Sequence, residues 1–220
     1  MRLFKRLIPL ILIISTVFTS LISCGDRDYD EAEVKAAAEN LIRKSDILED
    51  ILFGEGLDHH IIEGTLSYQT VSADDIKRKS EAMGESFSTV EELKVILSKV
   101  YTVGYKNDLL SGILSGDVNK YTRYYQNGEK MMKLVTYDVK KKDEIEYHYD
   151  TLNVKDVEGE KITVSLDITI TTKDGKSQRI TIDVDMIEEP DGWKLDTPTY
   201  AVYNENYQNY KDLENELNKR

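Results

Sequence analysis

The sequence predicts an α+β fold in which N-terminal helices pack on a long, curved antiparallel sheet. Two observations predict it. Between residues 31 and 115 apolar side chains recur every three or four positions, and between residues 116 and 200 they alternate every second position. Glycine-containing turn sequences separate the alternating runs, as expected of strands joined in a meander. We expect both halves to form one domain, because the helices would cover the apolar face of the sheet.

The N-terminal half is expected to contain four helices. The first spans Asp30–Phe53, where apolar or small residues form one stripe, and Gly54–Gly56 is typical of a helix end. Two more are predicted behind N-caps that have an acidic residue three positions later: Ser72 with Asp75, and Ser88 with Glu91. A fourth, short helix is expected from Tyr105 to Leu114. Tyrosines near helical spacing after Tyr200 predict a short C-terminal helix within residues 201–220.

The even or odd numbering of the apolar residues predicts how two of the strands pair. In 162–170 and 180–186 every apolar residue has an even number. Opposed residues on one face must both be apolar, so their numbers must sum to an even total. A two-residue turn violates that condition, whereas a three-residue loop at 173–175, with Gly175 in the left-handed conformation, satisfies it. The pairs then expected are Ile168 with Ile180, Leu166 with Ile182, and Val164 with Val184.

Three further turns are predicted where glycine stands beside polar residues or proline: Asn127-Gly128, Val157–Lys161 and Glu189–Gly192. The first would join 121–126 to 129–137 in a hairpin. The last is typical of a type I turn and would put Met186 opposite Leu195.

The N-terminus has the features of a secretory leader. The first six residues, MRLFKR, carry three positive charges, and a mostly apolar run from Leu7 to Ile22 follows, which is short for a membrane span. The sequence Leu21-Ile22-Ser23-Cys24 resembles the lipobox of bacterial lipoproteins. The resemblance implies cleavage before Cys24 and a diacylglycerol group on its thiol. Residues 1–23 would be the signal peptide, and 24–30 a tether of about 20 Å between lipid and first helix.

Cys24 is the sole cysteine of the chain, which limits the alternatives for its role. An intrachain disulfide is impossible, and a catalytic thiol would require a base beside it in a folded cleft. A buried free cysteine and a chance cysteine at the end of a simple membrane anchor remain as alternatives to lipidation. We therefore expect a protein attached through Cys24 to the extracytoplasmic face of a cell membrane.

The charge balance excludes one class of partner. The formal net charge is −12, and loss of residues 1–23, with three positive and no negative charges, would make it −15. Such a domain is repelled by nucleic acid and by an anionic membrane surface. Nucleic acid is therefore not expected as a partner, whereas an envelope protein is compatible with the charge.

Two groups of ionisable residues could carry chemistry. His59 and His60 with Glu63 could contribute to a metal site, but adjacent histidines diverge and the set is incomplete, so solvated side chains are the preferred interpretation. The second group lies on the expected polar face of the sheet: Asp167, Asp183 and Asp185. Clustered carboxylates can bind a cation or act as acids, but strand alternation alone explains them. His148 is expected to be a packed strand residue, and no metal, cofactor or catalytic residue is predicted.

Tyrosine is unusually frequent, with 14 tyrosines against 4 phenylalanines. Aromatic side chains with a polar tip are suited to binding glycan or protein surfaces. The binding residues we expect are Tyr121, Tyr124, Tyr125, Trp193 and Tyr200. Packing of these rings between helices and sheet is the alternative.

Two resemblances suggest a function. Helices followed by a meander that ends in DGWKLDTPTY, over residues 86–200, resemble the cystatin-like cone of the nuclear-transport-factor-2-like superfamily. The segments STVEELKVILSKVYTVGY and YTRYYQNGEKMM resemble secreted Gram-positive inhibitors of cell-wall DL-endopeptidases, which lack the lipoprotein leader. Together they imply a non-catalytic, lipid-anchored binding protein that regulates a cell-wall hydrolase.

Two alternatives stay open at this point. One is a cone enzyme or small-molecule-binding lipoprotein, in which Asp183, Asp185 or His148 would line an open pocket as acid-base groups. The other is a structural lipoprotein without a specific ligand.

Overall fold

The computed structural model describes residues 29–60, 68–110, 114, 122–135, 144–172, 174–197 and 199. Glu31–Arg220 form one compact unit, and Met1–Asp30 form another, of which two residues are described. The predicted signal peptide, Cys24 and the predicted C-terminal helix therefore lie outside the described residues. No helix among the described residues combines the length and apolarity needed to cross a membrane.

Four helices occur in the described part of the chain: α1, Glu31–Phe53; α2, Ala73–Met83; α3, Val90–Val100; and α4, Val103–Leu110. The first three confirm the predicted helices. The fourth begins two residues earlier than expected and ends before Leu114, which instead forms an isolated bridge with Tyr124. The extension of this helix to Leu114 was therefore wrong.

The N-cap of α3 differs by one residue from the prediction. Thr89, not Ser88, is the cap: its hydroxyl accepts the N–H of Glu92 at 3.2 Å, and the Glu92 carboxylate accepts the N–H of Thr89 at 3.1 Å. The sequence contains two overlapping capping-box patterns, Ser88 with Glu91 and Thr89 with Glu92, and the structure forms the second. Ser88 also donates its own N–H to Glu92. At α2, Ser72 is the cap residue as predicted, but its side chain makes no capping hydrogen bond.

The strands form two antiparallel sheets, not the single meander expected. Their bounds are β1, His59–His60; β2, Tyr68–Val71; β3, Tyr124–Asn127; β4, Lys130–Leu134; β5, Glu144–Glu158; β6, Lys161–Thr171; β7, Ser177–Glu189; and β8, Gly192–Leu195. In the described part, sheet one has the order β1-β2-β4-β3 and sheet two the order β5-β6-β7-β8. The α+β class is confirmed. The assignment of 31–115 to helices alone was wrong, because strands of two and four residues are too short to show an alternating pattern.

Sheet two has the register that parity predicted. Ile168 pairs with Ile180, Leu166 with Ile182, and Val164 with Val184, and Gly175 in the connecting loop has φ of 81°. Met186 lies opposite Leu195, also as predicted. In the β3–β4 hairpin, Asn127 pairs with Lys130, so the turn residues are Gly128 and Glu129 and not Asn127 and Gly128. Gly128 at the first turn position has positive φ and Glu129 at the second does not, which is the pattern of a type II′ turn.

One hydrophobic core joins the helices to both sheets. α1 packs against β5 and β8, and its apolar stripe belongs to the same buried cluster as the inward residues of β6 and β7. Val71, Tyr124 and Met131 of sheet one belong to the same buried cluster. The helices therefore cover sheet two as predicted, and sheet one extends the core past the end of α1.

Candidate functional site

A pocket of about 570 Å³ lies between α2 and the β3–β4 hairpin. We call it the hairpin pocket. Four segments line it: the end of β2, one face of α2, the connection from α2 to α3, and the hairpin turn with the start of β4. Its volume falls within the range of about 300–1,000 Å³ that is typical of ligand pockets.

The floor of the hairpin pocket is apolar. Val71, Phe87 and Met131 are buried, and Ile76 is half-buried between them and solvent. Ala73, at the start of α2, completes the apolar lining. Such a floor favours an apolar group, because each square ångström of apolar surface removed from water contributes about 25 cal/mol.

The rim of the pocket is charged and polar. Its exposed members come from α2, from the connection and from the hairpin: Lys77, Glu81, Ser86, Ser88, Glu129 and Lys130. The rim thus carries two ammonium and two carboxylate groups around the apolar floor.

One wall of the pocket is the connection from α2 to α3, and Glu85 holds this wall in place. Its carboxylate accepts hydrogen bonds from Lys99 at 2.8 Å and from Lys44 at 2.9 Å, so it joins α3 to α1. These two hydrogen bonds hold the pKa of Glu85 below its ordinary value. Within the same connection, the N–H of Phe87 is 3.4 Å from the Ser80 hydroxyl of α2. The wall is therefore held from three helices.

Gln126 fixes the opposite wall. Its side-chain oxygen accepts the N–H of Val90, the first residue of α3, at 3.1 Å, and its side-chain nitrogen donates to the carbonyl of Gly128 at 2.9 Å. The hairpin turn is consequently positioned against the N-terminus of α3. A pocket whose two walls are both held by hydrogen bonds needs little ordering when a ligand binds.

Two cationic side chains, Arg123 just before β3 and Lys133 in β4, hold the end of α1 and the loop at residues 54–57. Arg123 donates to the carbonyls of Leu52 and Gly54, and Lys133 donates to those of Glu55 and Leu57 at 2.6 and 2.8 Å. The loop follows the C-terminus of α1, where unpaired carbonyls attract cations.

Burial changes the chemistry of these groups. Desolvation, followed by the nearby charge of Arg123, lowers the pKa of the Lys133 ammonium to about 8. Both cations contact backbone carbonyls at the end of α1 or in the loop after it, and these contacts stabilise the loop conformation. We therefore assign Arg123 and Lys133 a structural role.

A second buried polar group lies between α1 and sheet two. The Ser45 hydroxyl donates to the Glu49 carboxylate at 3.2 Å and is 2.8 Å from the Tyr101 hydroxyl. Thr199 also donates to Glu49, at 3.0 Å, and Tyr147 reaches Thr199 at 3.5 Å. Burial raises the pKa of Tyr101 and Tyr147 well above the ordinary tyrosine value, so both remain hydrogen-bond donors. The cluster connects Thr199, which follows β8 in the sequence, to α1.

Of the predicted aromatic binding residues, the three that the structure describes do not form one surface. Tyr124 is fully buried: its hydroxyl accepts the N–H of Leu57 at 2.8 Å and donates to the carbonyl of Ile51 at 3.0 Å. Tyr124 therefore cannot contact a partner, and the prediction for this residue was wrong. Tyr125 is half-buried with its ring edge-on to Tyr68 at 4.7 Å, and Trp193 is half-buried against the core of the other sheet. Tyr121 and Tyr200 lie outside the described residues.

The three aspartates of the polar sheet face are each engaged. Asp167 accepts from Thr181 and Arg179, which lowers its pKa, and Asp183 pairs with Lys155. Asp185 accepts from Thr163 at 2.7 Å and pairs with Lys161 at 2.8 Å. His148 lies in β5, with its ring 2.7 Å from the hydroxyl of Thr169. Asp183, Asp185 and His148 do not line the hairpin pocket.

The histidine pair is in strand β1, where His59 and His60 pair with Val71 and Thr70. Burial, followed by the charge of Lys133, lowers the pKa of His59. Glu63 lies outside the described residues. Among the described residues, no group of three or more His, Cys, Asp or Glu side chains is arranged to hold a metal ion.

Sequence reasoning missed the hairpin pocket altogether. Its lining residues are far apart in sequence, between Thr70 and Met131, and each looks ordinary in its own segment. Glu85, which orders one wall, stands in a short connection without any motif. The predicted Asn-Gly turn was the one signal near the site, and it located the hairpin without indicating what faces it.

Comparison with known proteins gives no match: no protein-family model, curated protein or solved structure is similar enough to this chain to be matched with it.

Proposed function

We propose that this protein is a non-catalytic binding protein, held on the extracytoplasmic face of a cell membrane by a lipid on Cys24. The observation that supports binding is the hairpin pocket of about 570 Å³, with an apolar floor, a charged rim and walls held by Glu85 and Gln126. The leader and the lipobox-like sequence before Cys24 support the anchor. In its specific form, suggested by the resemblance to inhibitors, the partner is a cell-wall hydrolase.

The binding interpretation is also supported by the state of the candidate acid-base groups. Asp167, Asp183 and Asp185 are each engaged by a cation or hydroxyl group on the outer face of sheet two. The side chains of sheet two that face α1 belong to the buried core cluster. An acid-base site at these aspartates would require an open pocket beside them, whereas the hairpin pocket is lined by other residues.

The anchor is tested by metabolic labelling with a fatty acid. The wild-type chain should incorporate label, and Cys24→Ala should not. Labelled Cys24→Ala protein would disprove anchoring at this residue.

The binding function is tested by affinity capture. The tagged full-length chain is recovered from envelope extract of the organism that makes it, and autolysis of a deletion strain is measured. We expect a cell-wall hydrolase to be retained and autolysis to change on deletion. If no envelope protein is retained and autolysis is unchanged, the proposal fails.

A further inference from the structure

We infer that the hairpin pocket receives apolar side chains of an extended peptide segment that carries both a cationic and an anionic residue. This inference rests on the proposed binding function and names the chemistry of the partner. A protein segment exposed on the partner would supply such a ligand. Three features of the pocket support this chemistry.

The first feature is the size and polarity of the floor. A volume of about 570 Å³ bounded by Val71, Ile76, Phe87 and Met131 exceeds what one small polar group would fill. Apolar side chains inserted into a desolvated pocket are the usual energetic centre of a protein interface. The floor thus selects a ligand with bulky apolar groups.

The second feature is the distribution of charge on the two sides of the rim, which are formed by α2 and by the hairpin. Helix α2 presents Lys77 and Glu81, and the hairpin presents Glu129 and Lys130. Lys77 and Glu81 are 3.9 Å apart with side chains 75% and 69% exposed, so water weakens their mutual attraction and both can engage a ligand. Within the described part of the chain, Glu129 and Lys130 have no ion-pair partner.

The α2 side and the hairpin side of the rim therefore each offer one positive and one negative group. A fatty acid has one charged end and could satisfy only part of this rim. A peptide with a lysine and a glutamate on either side of apolar residues places a complementary charge at both sides of the rim, which is the arrangement that favours specificity.

The third feature is that hydrogen bonds hold both walls in place before a ligand binds. Glu85 ties the connection to α1 and α3, and Gln126 ties the hairpin turn to α3. A ligand would gain affinity because these groups need no rearrangement.

The test measures binding of blocked, fluorescein-labelled peptides by fluorescence anisotropy. The sequences are Lys-Leu-Leu-Glu and Glu-Leu-Leu-Lys, and both leucines are replaced by glycine in the control peptides. The full-length chain is reconstituted in phosphatidylcholine vesicles, and empty vesicles give the background. Dodecanoate serves as the single-charge competitor.

Two matched substitutions on α2 make the test specific to the pocket. Ala73 is exposed and lines the pocket, so Ala73→Trp fills it, whereas Ala82 is exposed on the same helix and does not line it. We expect at least one leucine peptide to bind. Ala73→Trp should weaken its binding by about tenfold or more, whereas Ala82→Trp leaves it within about twofold. Urea unfolding of both variants verifies the fold.

Charge is tested separately with Glu129→Lys, with Glu144→Lys in sheet two as the control for net charge. We expect Glu129→Lys to weaken the leucine peptide by roughly threefold to tenfold and Glu144→Lys to leave it unchanged. The inference is overturned if neither leucine peptide binds more tightly than its glycine control. It is also overturned if Ala73→Trp and Ala82→Trp behave alike, or if dodecanoate binds in the pocket and the peptides do not.

The capture experiment separates this inference from the proposed function. An envelope protein retained equally by wild type and Ala73→Trp would support a binding protein and contradict the pocket as its peptide site. Peptide binding that is lost in Ala73→Trp, without any retained envelope protein, would support the pocket chemistry and contradict the proposed partner.

Discussion

The hydroxyl of Tyr124 in β3 accepts the backbone N–H of Leu57 at 2.8 Å, although 67 positions separate the two residues. The same hydroxyl donates to the carbonyl of Ile51. Tyr124→Phe keeps the ring but leaves two buried backbone groups without this partner, and we expect it to lower the free energy of unfolding by about 1–3 kcal/mol. Urea denaturation measures the change. Tyr125→Phe, at a half-buried neighbouring position, should cost less than about 0.5 kcal/mol, and an equal cost at both sites would contradict the assigned role.

Gly56 is required by the same loop for two separate reasons. Its φ is 76°, and a Cβ there would lie 2.6 Å from a guanidinium nitrogen of Arg123 and 2.4 Å from the Tyr124 hydroxyl. Gly84, with φ of 67°, has open space around its Cβ position and provides the control. Gly84→Ala should cost about 1 kcal/mol for backbone strain, and Gly56→Ala roughly 1–3 kcal/mol more for the clash. Equal midpoints in thermal unfolding would show that the clash is absent.

Glu85 should make stability depend on pH in the acidic range. Its pKa is lower in the folded state than in the unfolded chain, because Lys99 and Lys44 stabilise the carboxylate. The stabilisation is therefore present above the unfolded value of about 4.3 and is lost as pH falls through the folded pKa. Glu85→Gln should cost about 1 kcal/mol at neutral pH and flatten the acid limb of the stability profile. Glu91→Gln, which removes an exposed pair with Lys94, should cost less than about 0.5 kcal/mol at neutral pH, and an equal cost at both sites would contradict the role of Glu85.

Ser45 and Tyr101 should act as one unit. Because the Ser45 hydroxyl has a single proton and donates it to Glu49, Tyr101 donates to Ser45 at 2.8 Å. Ser45→Ala and Tyr101→Phe should therefore couple by about 0.5–3 kcal/mol in a double-mutant cycle of unfolding free energies. Ser45→Ala combined with Tyr68→Phe, whose hydroxyl donates to the carbonyl of Thr122 just before β3, should be additive. Additivity in both cycles would show that the buried cluster is not cooperative.

Sheet two was predictable because burial on one face imposes parity on both strands. Because the apolar residues of β6 and β7 all have even numbers, a two-residue turn is excluded. The three-residue loop at 173–175 satisfies the condition and places Leu166 opposite Ile182. Sheet one was not predictable by the same argument. β1 and β2 contain two and four residues, and β2 pairs with β4 across a separation of more than 60 positions.

The candidate site was even harder to predict from the sequence than sheet one. The tyrosine content suggested a binding surface, but Tyr124 is buried because its hydroxyl finds backbone partners at the end of α1. Composition cannot distinguish an aromatic ring at a surface from one that stabilises a loop. The hairpin pocket uses common residues, Ile76 and Met131 among them, whose role follows from their meeting and not from their type.

The sequence by itself determined the class of the fold, helices α1 to α3 and the register of β6, β7 and β8, because these follow from local periodicity and from which face is buried. Only the tertiary structure decided that the strands divide into two sheets, that Arg123 and Lys133 are buried cations, and that a pocket lies beside the hairpin. Burial of a cation depends on carbonyls that a distant segment supplies. The carbonyls that Arg123 and Lys133 contact are at the end of α1 and in the loop after it, about 70 to 80 residues earlier in the chain.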